Sequence, residues 1–161
     1  MSLRSTKEKD LKPLCTVVIL CGREEDEDMQ KKFYALVPPD VEKIGKAVLD
    51  AAFKVHTALG PGLLESVYET CTKFELTESG LSAPTQVGLP VTYRGIKMDA
   101  GLKPDMIVND CVIVEFKSVD TMHPIFDAQL ITYLKLTGIR LGFLINFNVV
   151  HLKDGIKRMV V

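Results

Sequence analysis

The sequence predicts an α/β fold, in which helices cover a β-sheet. Apolar residues recur at helical spacing over residues 41–79 and then alternate, as in strands, over about 87–119. A further helical stretch over about 124–137 separates two segments, 111–119 and 141–147, whose nearly continuous apolar composition is typical of buried strands. These three observations together favour helices and strands mixed within one domain.

Composition narrows the class of protein. With 161 residues, the chain can form one domain with a hydrophobic core, and 47% apolar with 25% charged residues is typical of globular proteins. The formal net charge of -1 gives no overall positive field for nucleic acid, although basic residues are concentrated in the second half. The four cysteines have no zinc-ligand spacing, which favours reduced thiols and a cytoplasmic protein. The apolar run Leu14–Cys21 is too short to cross a membrane, so no membrane association is expected.

The chain divides near its double proline. Residues 1–39 are predicted to be an N-terminal extension and residues 40–161 to be the domain. Within the extension, Thr16–Leu20 could form one edge strand, and the five consecutive acidic residues over 24–28 are expected in a solvated loop. Pro38-Pro39 should end any regular element before the domain.

Two helices are expected at the start of the domain. Asp40 is predicted to cap the first, over residues 41–59, and Gly60-Pro61-Gly62 ends it. The second, over about 63–79, ends before Gly80 and is expected to bury the apolar residues Leu64, Val67, Cys71 and Phe74.

Strands are expected next. A strand that alternates from Val87 to Tyr93 turns at Arg94-Gly95 and leads into a strand over about 96–108. Asn109-Asp110 has the composition of a two-residue hairpin turn, and Cys111–Val119 follows as a central strand.

The last part of the domain is predicted to form a crossover. The helix over 124–137 ends at Gly138, and the strand over 141–147 follows. A strand, a helix and a second strand in this order form a right-handed crossover between parallel strands. Asp154-Gly155 is expected to form a final hairpin turn.

Two charged residues interrupt the apolar strand over 111–119. The alternation of a strand places Glu115 and Lys117 on one face with Ile113. Because an unpaired buried carboxylate costs several kcal/mol, Glu115 needs a cation, or this strand end lies at the surface with Lys117 as its partner. For this strand alone, both interpretations stand.

Asp105 favours the interpretation in which a cation holds Glu115. Counting outward from the Asn109-Asp110 turn pairs Val108 with Cys111 and places Asp105 across from Val114, beside Glu115, with a bulge expected at the preceding proline. Two carboxylates this close repel each other unless a metal ion holds them. Oxygen ligands favour Mg²⁺ or Mn²⁺ over zinc.

Two further polar pairs have helical spacing. Gln129 and Tyr133 are four residues apart in the third helix, and Glu65 and Tyr68 are three apart in the second. Taken alone, Gln129 and Tyr133 fit a boundary residue and a core aromatic. Glu65 alone fits the preference for glutamate in a first helical turn.

These residues together resemble a known nuclease signature. Pro104-Asp105, followed after nine residues by Glu115-Phe116-Lys117, resembles the PD-(D/E)xK motif of the restriction-endonuclease-like superfamily. Gln129 and Tyr133 are similar to the QxxxY motif of its RecB-like branch.

A third motif resembles that of a smaller group. Gly62, Glu65 and Tyr68 are similar to the motif that names the bacterial GxxExxY proteins of the same superfamily. The resemblance to this group covers about residues 41–161, so it implies a three-layer αβα core with a central mixed sheet for the whole domain.

The resemblance also implies roles for individual residues. Asp105 and Glu115 would bind the metal ion together with the backbone carbonyl of Phe116, and Glu65 would complete the ligand set. Lys117 would orient the attacking water or stabilise charge on the phosphate. The remaining pair, Gln129 and Tyr133, would hold the strand ends and contact the phosphate.

The leading hypothesis is a Mg²⁺- or Mn²⁺-dependent phosphodiesterase that acts on DNA or RNA. Its main alternative is a binding or assembly module that keeps the nuclease fold without activity, because acidic and basic residues balance over 41–161. A hydrolase of sugar phosphates or other small phosphoesters is a third interpretation. Whether the chain forms a homo-oligomer stays open.

Overall fold

The computed structural model describes residues 37–161. The predicted edge strand over Thr16–Leu20 and the acidic run lie outside this part, so the assignment of residues 1–39 to an extension and 40–161 to a domain stays a prediction. Among the described residues, no helix combines the length and the apolar composition needed to cross a membrane.

Helices and strands follow the predicted order. The helices are α1 (Pro39–Leu59), α2 (Glu65–Glu78) and α3 (Pro124–Thr137). The strands are β1 (Leu89–Tyr93), β2 (Ile96–Leu102), β3 (Met106–Val108), β4 (Val112–Lys117), β5 (Leu141–Asn146) and β6 (Ile156–Val160).

The main sheet is mixed, as predicted. It has four strands in the order β3-β4-β5-β6, while β1 and β2 pair as a separate two-stranded sheet. β4 and β5 run parallel on either side of the α3 connection, and the other pairs are antiparallel. The parallel pairing expected for the strand-helix-strand unit is therefore confirmed.

Helices cover both faces of the main sheet. α1 and α2 pack on one face, where Val112, Val114 and Phe116 of β4 point, and α3 packs on the other, where Ile113 points. This is the predicted alternation, because successive side chains of a strand face opposite sides. The result is a three-layer αβα core.

The start of α1 differs from the prediction. Asp40 is not the cap, since the helix begins at Pro39 and Pro38 precedes it. The fixed φ of proline suits the first helical position, where no hydrogen-bond donor is needed. Asp40 lies instead in the first turn, where the helix dipole stabilises a carboxylate.

The strand predicted over 96–108 is broken in two. β2 ends at Leu102 and β3 begins at Met106, because Pro104 has no N–H for a ladder. The register is also shifted by one residue, since Val108 pairs with Val112 and not with Cys111. This shift brings Asp105 level with Glu115 and not with Val114.

The hairpin turn causes that shift. Asn109 and Asp110 both have positive φ angles, 46° and 55°. The Cys111 N–H then bonds to the Val108 carbonyl at 3.0 Å, which leaves Cys111 as an extra residue before β4.

The buried face of α2 is not the predicted one. α2 buries Tyr68, Thr72 and Leu76, while Leu64 and Phe74 are 75% and 61% exposed. The two faces differ by one residue step, about 100° around the helix. Apolar periodicity alone does not choose between neighbouring stripes, and the contacts of Tyr68 described below decide it.

The chain returns to the sheet without the predicted hairpin. A 3₁₀ turn over Leu152–Gly155 precedes β6, which pairs antiparallel with β5. A Cβ at Gly155 would lie 2.1 Å from the Asn146 carbonyl oxygen, so this position requires glycine.

Candidate active site

The structure brings Asp105, Glu115 and Lys117 together at the end of β4. Glu115 is 2% exposed and Lys117 is 9% exposed. The Lys117 Nζ lies 3.5 Å from Glu115 Oε2 and 3.9 Å from Asp105 Oδ2. Three charged groups predicted from the sequence to converge therefore do so, in a largely buried position.

Asp105 and Glu115 are held by reciprocal hydrogen bonds. The Asp105 N–H donates to Glu115 Oε1 at 3.1 Å, and Asp105 Oδ2 accepts from the Phe116 N–H at 2.8 Å. Asp105 can make the first bond because the break at Pro104 releases it from the strand ladder. Each carboxylate is thus oriented by the backbone beside the other.

The charge of Glu115 is unfavourable in this position. Burial first, and then the neighbouring Asp105 carboxylate, raise the pKa of Glu115 from 4.5 to about 7, although Lys117 and hydrogen bonds lower it. Keeping both carboxylates ionised near neutral pH therefore calls for more positive charge than Lys117 supplies.

Lys117 connects the two carboxylates to α3. Its Nζ donates to the Phe116 carbonyl oxygen at 2.8 Å and lies 5.4 Å from the centre of the Phe126 ring. The carbonyl predicted to bind metal thus faces the same space as the charged groups. Phe126 of α3 lies over the ammonium and contributes a cation–π contact.

Glu65 reaches this strand end from α2. Its Oε1 accepts from the Ser118 N–H at 3.3 Å, and the Ser118 hydroxyl donates to the Leu63 carbonyl at 2.6 Å. Within residues 37–161, no three His, Cys, Asp or Glu side chains converge closely enough to hold a metal ion. Glu65 therefore contacts the residue after β4 without joining the Asp105–Glu115 pair, and its role as a ligand stays a prediction.

Tyr68 explains how α2 is placed. The Tyr68 hydroxyl donates to the Gly60 carbonyl at 2.7 Å and accepts from the Leu63 N–H at 3.1 Å. Its ring stacks on Phe147, 4.3 Å between centroids. Because Tyr68 is buried, these contacts fix the loop before α2 and with it the position of Glu65.

Gln129 and Tyr133 form a pair of their own. The Gln129 Nε2 donates to the Tyr133 hydroxyl at 2.9 Å. In the described part of the chain, no hydrogen bond joins this pair to the charged cluster, although Phe126 precedes Gln129 by one helical turn and contacts Lys117. The predicted contact with phosphate stays a prediction.

The sequence interpretation missed Gln86. Its Nε2 donates to Asp105 Oδ1 at 3.1 Å and to Glu69 Oε2 at 3.0 Å, and its N–H donates to the Asp105 carbonyl at 3.0 Å. The φ angle of Gln86 is 54°, a left-handed conformation that no local residue pattern predicts.

The sequence interpretation also missed Glu69, although its spacing from Glu65 could have indicated it. It follows Glu65 by four residues in α2, so both carboxylates lie on one side of the helix. Burial first, and then the Asp105 carboxylate, raise the pKa of Glu69, while Gln86 and Lys73 lower it. The acidic character of the site thus extends beyond the two predicted carboxylates.

The oxygen atoms at this strand end suit a hard divalent cation. The carboxylates of Asp105 and Glu115 and the carbonyl of Phe116 all offer oxygen atoms, the type of ligand that Mg²⁺ and Mn²⁺ prefer. A cation would also offset both causes of the raised pKa of Glu115, first the burial of its charge and then the repulsion from Asp105.

Comparison with known families agrees with this geometry. A family model of the PD-(D/E)XK nuclease superfamily matches residues 42–159, which include every site residue discussed above. No curated protein and no solved structure matches the chain. The match covers most of the sequence, and the chain belongs to the PD-(D/E)XK nuclease superfamily.

Proposed function

We propose that this protein is a Mg²⁺- or Mn²⁺-dependent phosphodiesterase that cleaves DNA or RNA. The observation that carries the proposal is the convergence of Asp105, Glu115 and Lys117 at one buried strand end. Membership of a nuclease superfamily supports the reaction class. A module with a purely structural role would gain little from burying two carboxylates that repel each other.

Asp105, Glu115 and the Phe116 carbonyl would hold the metal ion, with Glu65 as a further ligand from α2. Such an ion supplies a hydroxide at neutral pH and neutralises charge that develops on the phosphate. Gln86 and the Phe116 N–H orient the Asp105 carboxylate through its two oxygens. The Asp105 N–H in turn donates to Glu115 Oε1, so the two carboxylates lie side by side.

Lys117 is proposed to act on the phosphate and the attacking water. Its ammonium is held within 4 Å of both carboxylates and over the Phe126 ring, so its position is well defined. A fixed positive charge in a largely buried site stabilises negative charge in a transition state more strongly than an exposed lysine does.

Gln129 and Tyr133 are proposed to contact the substrate phosphate from α3. We also propose that the chain belongs to the GxxExxY group of the superfamily. The contacts of Tyr68 with Gly60 and Leu63 support this assignment, because they give the motif a function in placing Glu65.

An inactive binding or assembly module is the second candidate. The contacts that favour it are those of Lys117, which already pairs with Asp105 and Glu115 and balances their charge without a metal ion once Glu115 is protonated. A hydrolase of small phosphoesters would use the same site and differs only in substrate.

Cleavage assays distinguish these candidates. The purified protein is incubated with Mg²⁺ or Mn²⁺ and labelled single- and double-stranded DNA and RNA. We expect metal-dependent cleavage that Lys117→Ala abolishes and that Lys135→Ala, an exposed lysine of α3, leaves unchanged. Absence of cleavage of all four substrates with both metals would contradict the proposal, and turnover of small phosphoesters alone would favour the third interpretation.

A further inference from the structure

The β1–β2 hairpin stands apart from the main sheet. Its two strands pair only with each other within the described chain, and Tyr93 pairs with Ile96 across a tight turn. Arg94 and Gly95 form this turn with φ angles of 48° and 82°. We call residues 89–103, this hairpin and the lysine that follows it, the arm.

The arm begins and ends at the candidate active site. The chain enters it just after Gln86 and leaves it just before Asp105, and the Gln86 N–H bonds to the Asp105 carbonyl at 3.0 Å. At its base, Leu89 and Leu102 pack in the same apolar cluster as Tyr133 of α3. A molecule lying along the arm would therefore lead towards both the carboxylates and α3.

The tip of the arm exposes large side chains. Tyr93 is 60% exposed and Ile96 is 66% exposed. The Arg94 guanidinium lies 5.5 Å from the centre of the Tyr93 ring. An aromatic ring next to a guanidinium group is a surface on which a flat ligand can stack.

The arm also carries unneutralised positive charge. Its charged residues are Arg94, Lys97 and Lys103 against Asp99. Over residues 37–161, none of these three basic side chains has an ion-pair partner, whereas Lys157 pairs with Asp127 and several other basic residues are paired likewise. The arm is therefore locally positive, in a domain whose acidic and basic residues balance overall.

We propose that the arm binds single-stranded nucleic acid and guides it to the active site. Arg94 and Lys97 would contact phosphates, and Tyr93 would stack on an unpaired base. The exposed ring favours a single strand over a duplex, because a duplex covers the faces of its bases by stacking. The proposal rests on the nuclease function proposed above and specifies its substrate.

The test measures binding separately from cleavage. Fluorescence anisotropy of labelled single-stranded and duplex oligonucleotides is recorded in Mg²⁺. The protein carries Lys117→Ala, so that it binds without cleaving, and each arm substitution is made in this background. Tyr93→Ser should weaken single-strand binding about tenfold, and Tyr93→Phe should restore most of it. Lys97→Ser and Arg94→Gly should both weaken binding. Each should also reduce the slope of the logarithm of the binding constant against the logarithm of salt concentration by about one. The change Arg94→Gly keeps a residue suited to positive φ.

The controls separate the two proposals. Lys46→Ser, an exposed lysine of α1 on the other side of the sheet, should leave binding unchanged. If Tyr93→Ser keeps the single-strand affinity while the wild type cleaves nucleic acid, the proposed role of the arm is wrong and the proposed nuclease function stands. If the arm variants bind more weakly while the wild type cleaves nothing, binding by the arm is supported and the proposed nuclease function is wrong. If sedimentation shows that the arm substitutions abolish a dimer and leave single-strand affinity intact, the arm binds a second copy and the proposal is wrong.

Discussion

The side-chain amide of Gln86 donates a hydrogen bond to Asp105 Oδ1 at 3.1 Å and so holds the carboxylate oxygen that the backbone of β4 does not contact. Oδ2 of the same carboxylate accepts from the Phe116 N–H, so both oxygens have a protein partner. The same amide also binds Glu69, at 3.0 Å. A residue outside the recognisable motifs therefore orients a proposed metal ligand.

Gln86→Met and Gln86→Gly should both weaken Mn²⁺ binding, by about tenfold, since loss of a residue that orients a ligand has effects of this size. Their effects on stability should differ, because Gly adopts the positive φ freely and Met does not. Isothermal titration calorimetry measures the affinity and thermal melting the stability. Wild-type Mn²⁺ affinity in both variants would show that the amide does not position Asp105.

Asp105→Asn should abolish most metal binding while keeping the shape of the side chain. In the wild type, saturating Mn²⁺ should raise the melting temperature through mass action, and this increase should be lost in the variant. Asp110→Asn, in the hairpin turn of the same β3–β4 unit, is the matched control and should keep the increase. Equal metal affinity in wild type and Asp105→Asn would refute the assignment of the site.

Glu115 predicts a pH dependence of stability without metal. Its folded-state pKa of about 7 lies above its ordinary value of 4.5, so the folded state binds the proton more tightly. In EDTA, stability should therefore be greatest below about pH 4.5 with respect to this group and should fall as pH rises to about 7, by up to about 3 kcal/mol. Denaturant titrations at a series of pH values measure it.

Glu115→Gln should remove this fall and leave the metal-free protein as stable as the wild type, or more stable, near pH 8. Cleavage should be lost, because the ligand is gone. Addition of Mg²⁺ should offset the fall in the wild type only. A large loss of metal-free stability in Glu115→Gln would instead indicate a structural pair with Lys117 and favour the inactive module.

Tyr68→Phe should destabilise the domain by about 1–2 kcal/mol, because the Gly60 carbonyl and the Leu63 N–H lose their partner while stacking on Phe147 is kept. Cleavage should fall further than stability explains, since Glu65 follows this loop directly. Chemical denaturation and cleavage at a temperature where both proteins are folded separate the two effects. Unchanged cleavage would show that Tyr68 contributes to stability only.

Removal of residues 1–36 should leave the melting temperature and cleavage unchanged. The start at residue 37 keeps Val37, which is buried in the core next to α1. The expectation follows from the acidic run and the double proline, which separate the extension from the periodic pattern of the domain. Aggregation of the shortened protein would indicate that Thr16–Leu20 completes an edge of the sheet.

The order of elements and the two faces of β4 were determined by the sequence alone. The side-chain period of a strand is a local property, so the placement of Glu115 and Lys117 opposite Val114 and Phe116 followed from their positions in the chain. Breaks at Gly60-Pro61 and Gly138 were equally local, because they depend on the conformations that these residues themselves adopt.

The tertiary structure decided the register, the orientation of α2 and the partners of Asp105. Positive φ angles at Asn109 and Asp110 shifted the β3–β4 pairing by one residue and brought Asp105 level with Glu115. Stacking of Tyr68 on Phe147, nearly eighty positions later in the chain, selected one face of α2 from two neighbouring stripes. Gln86 reaches Asp105 only through a left-handed backbone conformation at the base of the arm. The last two depend on contacts between distant segments, whose energies exceed the small local preferences that a sequence pattern reports. The first depends on backbone angles in the turn that its residue types allow but do not fix.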